Sequence, residues 1–156
     1  MVRCYQNCRR YYPANRGPGR LGVGSLILLD THVAVWATVE PRRLSRAAVS
    51  ALKRARVSDG MAISAISLWE LASLFTRGRL STYASVAASI NQILETLGAV
   101  VRPITPEVAI LAAYLPFDYP RDPADRLIGA TAQAEALPLV TQDEKIRACT
   151  LLKTIW

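Results

Sequence analysis

The 156-residue sequence predicts an α/β fold, a three-layer α/β/α sandwich around a central parallel sheet of about five strands. Three observations carry that prediction. From Ser25 onward, short apolar runs alternate with stretches of helical periodicity, and alternation of this kind builds βαβ units with helices on both faces of a sheet. Two of the runs, SLILL and LPLVT, are apolar almost throughout, as strands buried on both faces must be. No linker or internal repeat divides residues 25–156, and a chain of that length can fill one core.

The elements follow in order. SLILLD predicts a strand, and THVAVWATV a short helix behind it. Ser45 is a good cap for a helix running to about Arg56, with Ala48, Leu52 and Ala55 on one face. MAIS is a short apolar strand. A helix from about Ile66 to Arg77 has an apolar face of Leu68, Leu71, Leu74 and Phe75, and Gly78 ends it. A further helix covers about Tyr83–Leu97, AVVRPI is a strand, Pro106–Leu115 a helix and PFDYPRDP a loop. Asp122 and Pro123 start the next helix, with Leu127, Ala130, Thr131 and Ala134 inward. LPLVT is a strand, Asp143–Ala148 a short helix, and LLKTIW the last strand.

Residues 1–24 stand apart. They hold Arg3, Arg9, Arg10, Arg16 and Arg20 without an acid, show no periodicity, and contain Pro and Gly breakers. They read as a basic, disordered arm that could bind polyanions, although a solvated tail or the product of an upstream start-codon assignment is the stronger reading. The net charge of +7 comes mostly from this arm, because residues 25–156 hold 14 basic and 12 acidic side chains. The arm has no apolar segment of the secretory kind, and no apolar stretch approaches the ~20 residues that span a bilayer. Three cysteines, an odd count, argue against a disulfide framework and for the reducing cytoplasm. Cys4 and Cys8 lack the second ligand pair that a zinc site needs.

Four acids carry the functional signal: Asp30, Glu70, Asp125 and Asp143. Asp30 and Asp143 follow the two apolar strands, and ligands of open α/β sheets bind beyond the carboxyl ends of strands. Glu70 and Asp125 sit at helix starts, which face the same rim. Each has a structural reading too. Glu70 completes a formal capping box with Ser67, although Ser64 is an equally good cap and would place Glu70 inside the helix. Asp122 fits an N-cap, whereas Asp125 could serve the helix dipole or pair with Arg126. Asp143 could cap the short helix after it. Asp30 has the poorest such reading, since a solvated loop acid rarely follows so apolar a strand. Together the four predict a metal site, because clustered carboxylates repel unless a hard cation such as Mg²⁺ or Mn²⁺ neutralises them.

Other polar residues have subordinate roles. Thr141, beside the rim, could bond a phosphate or a ligand acid. Arg42, Arg43, Arg46, Lys53, Arg54 and Arg56 concentrate on and before one helix; Arg46 and Lys53 are candidates for phosphate contact, against a merely solvated face. His32, the only histidine, is given a packing or positioning role. No Ser/His/Asp or Cys/His constellation is present, which suits hydrolysis by a metal-activated water.

LLDTHVAVWA, SAISLWELA, the GRL that follows, RDPADRLIGATA and LVTQDEKI, in this order, resemble PIN-domain proteins. The likeness is to the VapC-type toxin ribonucleases of type II toxin–antitoxin pairs and covers about Leu26 to the end. It implies a PIN-like fold and Mg²⁺- or Mn²⁺-dependent RNA cleavage, with the family's acidic positions falling on Asp30, Glu70, Asp125 and Asp143. It also implies a cognate antitoxin covering the site, and a homodimer for which Trp36, Trp69 and the Phe75/Leu80 region are contact candidates. The chain departs at Asp118-Tyr119-Pro120, where many relatives carry histidine. Two other functions compete. A phosphatase of haloacid-dehalogenase type wants a second aspartate at position 32, which is histidine. A PIN-like RNA- or protein-binding module without catalysis would not need all four acids.

Overall fold

A computed structural model describes residues 26–156; the expectation for the basic arm falls outside them. Five strands form one all-parallel sheet: β1 (Ile27–Leu29), β2 (Met61–Ser64), β3 (Ala99–Arg102), β4 (Leu139–Val140) and β5 (Thr154–Ile155). Their order across the sheet is β3-β2-β1-β4-β5. The chain starts in the middle, builds outward to β3, then returns past β1 to lay down β4 and β5. The direction of winding therefore reverses between β1 and β4, and a crevice opens there beyond the strand ends.

The helices are α1 (Thr31–Val39), α2 (Arg46–Arg56), α3 (Ala65–Thr76), α4 (Val86–Leu97), α5 (Pro106–Tyr114), α6 (Pro123–Ala134) and the single turn α7 (Glu144–Arg147). Side chains of a strand alternate between faces, and the core divides accordingly. Ile27, Leu29, Met61 and Ile63 pack on one face with Val33, Ala48, Leu71, Phe75 and Ile93 from α1 to α4. Leu28, Ala62 and Leu139 pack on the other with Ile128, Ala132 and Ile146. These are the three layers expected. Among the described residues, no helix is long and apolar enough to cross a membrane.

Local chemistry sets the boundaries. Ser45 and Ser85 accept hydrogen bonds from the amides three residues on and so start α2 and α4. The second of these begins α4 at Val86 and leaves Tyr83, placed in the helix from periodicity, in the preceding turn. Gly98 closes α4 at φ 61°, a left-handed cap. On α2 it is Ala51, more than Leu52, that joins Ala48 and Ala55 inside. On α6, Ala130 and Thr131 are buried as expected, but so are Ile128 and Ala132. The helix lies between the sheet and α5, so a single inward face understates what it covers. Trp36 and Phe75 are core residues, whereas Trp69 is 61% exposed; of the candidate contact aromatics only Trp69 faces outward.

Gly129 is required by packing. A Cβ there would overlap Tyr119 Oη and stand 2.8 Å from its Cζ. Alanine gains about 1 kcal/mol in helix propensity, but Tyr119 is 2% exposed and has nowhere to move. Gly129→Ala is expected to lower stability by about 1–3 kcal/mol net, read as a lower midpoint in urea unfolding.

Candidate active site

Each strand end beside the crevice delivers a polar side chain. The run Ile27–Leu29 is fully inside, and the chain leaves the sheet at Asp30, whose carboxylate caps α1 by accepting from the His32 amide at 3.3 Å. Asp30 stays largely buried at 7% exposure. From the neighbouring strand, Thr141 donates its hydroxyl proton to Asp30 Oδ2 at 2.6 Å and accepts the Asp143 amide at 3.1 Å. One buried threonine thus joins the ends of β1 and β4.

Glu70 lies within α3, because the helix starts at Ala65 after Ser64 and not at Ser67. The capping-box reading is therefore overturned. Thr31 Oγ1 stands 2.6 Å from Glu70 Oε2 and 2.8 Å from Ser67 Oγ. A hydroxyl has one proton, and an ionised carboxylate can only accept, so the proton goes to Glu70. Burial raises the Glu70 pKa; the Thr31 bond opposes this, and the Asp30 charge adds to it.

Asp122 is the N-cap of α6, accepting from the Ala124 amide at 2.8 Å and the Asp125 amide at 3.4 Å. That leaves Asp125, in the first turn, free of capping duty. Its pKa is pushed up to about 7, first by burial and then by the charges of Asp30, Asp122, Asp143 and Glu70. Asp143 does cap α7, through Oδ1 to the amides of Lys145 and Ile146, and its other oxygen takes no part in the cap. Asp125 therefore feels the charges of the three other candidate acids and of Asp122. Among the described residues, however, no three His, Cys, Asp or Glu side chains stand at coordination distance. An all-oxygen, multiply charged donor set is the kind that a hard divalent cation takes.

Several expectations need adjusting. The suggested Asp125–Arg126 pair does not form, because the guanidinium turns to backbone carbonyls instead. Lys53 is not brought to the acids. α2 leads into the start of β2 through Gly60, which accepts from the Ile27 amide, so its C-terminal end lies at the opposite rim of the sheet. There Lys53 and Arg56 edge an apolar pocket of about 160 Å³ with Leu44, Leu52, Met61 and Leu97. Arg46 is at the other end of that helix. His32 is mostly exposed, with Nδ1 3.9 Å from Asp30 Oδ1 and its ring 6.0 Å from Trp36, so it is not packed in the core. The basic side chain nearest in this chain of contacts is Arg43, 4.2 Å above the Trp36 ring.

Sequence reasoning gave Asp122 a capping role alone, yet its charge acts on both Glu70 and Asp125. It missed Tyr119 entirely. This residue is buried, donates to the Asp125 backbone carbonyl at 3.1 Å, and is kept a neutral donor because burial and then the Asp125 charge raise its pKa. A tyrosine between two prolines in a polar loop carries no periodicity that would reveal this.

Comparison with known proteins adds independent findings. A model of the PIN domain family matches residues 27–150. Ribonuclease VapC22 of Mycobacterium tuberculosis is 44% identical over 122 residues, covering 78% of this chain and 90% of the relative. Among solved structures, VapBC2 from Rickettsia felis, bound to a DNA fragment from its promoter, superposes with a TM-score of 0.63 at 19% identity, over 83% of this chain and 96% of that one. DNA-bound VapBC from Salmonella typhimurium gives 0.60 at 17% identity, over 83% and 96%. At such identities the structural likeness speaks for the fold alone.

Proposed function

Because the chain belongs to the PIN domain family, we propose that it is a VapC-type ribonuclease, the toxin of a type II toxin–antitoxin pair. It hydrolyses RNA phosphodiester bonds at the carboxylates Asp30, Glu70, Asp125 and Asp143, which take up Mg²⁺ or Mn²⁺. The observation that supports this reading is that Asp125 on α6 feels the charges of Asp30 after β1, Glu70 on α3 and Asp143 after β4, beside the crevice where Thr141 ties the ends of β1 and β4 together. Held by Asp30, Glu70, Asp125 and Asp143, such an ion would lower the pKa of a coordinated water toward neutrality and offset negative charge at the scissile phosphate.

The chain's own residues do the rest. Thr141 orients Asp30 through Oδ2, and Thr31 orients Glu70, so both carboxylates present defined faces to the crevice. Asp122 caps α6 and keeps Asp125 out of that role. Arg43 and Arg46 are the candidates for holding the RNA backbone at the site, Arg43 having its guanidinium set over Trp36; Lys53 is the candidate furthest from the acids. The same reading gives the protein an RNA substrate, a cognate antitoxin partner, a second copy in a homodimer, and a cytoplasmic location. It takes residues 25–156 as one PIN domain preceded by a basic arm.

The test is cleavage of total RNA by the purified, antitoxin-free protein with Mg²⁺, with Mn²⁺ and with EDTA. Discrete cuts that vanish in EDTA and return with metal are expected. Absence of cleavage by folded, metal-supplied protein would leave a PIN-like binding module.

A further inference from the structure

The loop between α5 and α6 supplies none of the four candidate ligands, yet it is bound to the helix carrying Asp125 more tightly than a connector needs. The Arg126 guanidinium donates from Nε to the Ala112 carbonyl at 2.8 Å, and from its two terminal nitrogens to Leu115 at 2.7 Å and Pro120 at 3.3 Å. Two of these acceptors belong to the end of α5, where helical carbonyls lack partners and a cation suits the dipole. Leu115 and Pro120 also bracket the loop. Between them the chain turns Tyr119 inward to 2% exposure, with its hydroxyl 3.1 Å from the Asp125 carbonyl. Gly129, one helical turn further on, leaves the space in which the phenol lies.

The first turn of α6 is therefore gripped from both sides. Arg126 holds the loop to the helix, and Tyr119 holds the backbone of Asp125 to the loop. Asp125 faces the charges of four other carboxylates, which would push it from them if its backbone were loose. Fixing the supports of a ligand before the ion arrives is the general way outer residues raise metal affinity.

We propose that Tyr119 and Arg126 are positioning residues that hold Asp125 in place for cation binding, a role that rests on the metal-site reading above. The test titrates apo wild type, Tyr119→Phe and Arg126→Gln with Mn²⁺ alone, counting bound ion by electron paramagnetic resonance, and then measures kcat and KM for RNA. Tyr119→Phe keeps the ring in its space and removes only the hydroxyl. It is expected to bind Mn²⁺ about tenfold more weakly and to lower kcat with KM unchanged. Arg126→Gln, where it folds, is expected to weaken binding at least as much. Wild-type Mn²⁺ affinity and kcat in folded Tyr119→Phe would overturn the proposal, even with a lowered melting temperature, because packing alone would then account for the contact. Wild-type protein that takes up no Mn²⁺ would sink the metal-site reading itself, so the wild-type titration separates the two failures.

Discussion

Asp30→Asn is expected to abolish RNA cleavage while leaving the protein folded. The substitution removes the charge of the most buried of the four acids, at 7% exposure, and changes its shape little. If that charge contributes about 4 kcal/mol to stabilising the transition state through the bound ion, the loss is about a thousandfold in kcat/KM. The fold should survive because asparagine keeps one oxygen for the His32 amide and can turn its NH₂ toward Thr141 Oγ1, the two partners Asp30 has now. The expected change in stability is under about 1 kcal/mol. Cleavage within tenfold of wild type, in protein with an unchanged circular dichroism spectrum, would remove Asp30 from the site.

The apo protein should lose stability as pH rises, and Asp125→Asn should remove part of that loss. The Asp125 carboxyl titrates near 7 in the folded protein against an ordinary 3.8, so the folded state holds its proton more tightly than the unfolded chain. That contribution is complete below about pH 3.8 and is lost as pH rises through about 7. Unscreened, the displacement corresponds to about 4 kcal/mol; because the carboxyl keeps part of its surface in water, we discount it to about 1–2 kcal/mol. Loss of a first-turn acid from the α6 dipole works the other way, by about 0.3–1 kcal/mol. Asp125→Asn in EDTA should therefore melt about 2–5 °C above wild type at pH 8 and no higher at pH 4. Glu70, raised in the same direction, leaves a residual slope in the variant. Adding Mn²⁺ at pH 8 should reverse the order: an ion at a hundred times its Kd stabilises the wild type by about 2.7 kcal/mol, and the variant gains less. Parallel melting curves of both proteins across pH would show that Asp125 carries no excess proton.

Much of the candidate site was legible because its signals are local. A run such as SLILL has to be buried, and the acid directly after it stands at the strand end, where the structure also gives it the N-cap of α1. Asp122-Pro123 announces a helix start, and it caps α6 as its sequence suggests. Less visible was anything depending on which element packs beside which. Lys53 and Arg46 share a helix, but only the route of α2 into β2 shows that Lys53 ends at the far rim. Ser67 and Ser64 are equally good caps by sequence, and the packed structure starts α3 after Ser64, whose hydroxyl instead meets Thr131 at 3.0 Å.

By itself the sequence determined the α/β class, the strand count and most helix starts, and singled out four candidate acids, because hydrophobic period and capping act within a few residues. Only the tertiary structure decided that Thr141 holds Asp30 across 111 residues, that Arg126 serves carbonyls and not Asp125, and that a buried Tyr119 fits against Gly129. Those contacts follow from the strand order β3-β2-β1-β4-β5 and from the packing of α5, α6 and their loop. Neither is encoded in any periodicity; both arise when every buried surface and every buried polar group must be satisfied at once.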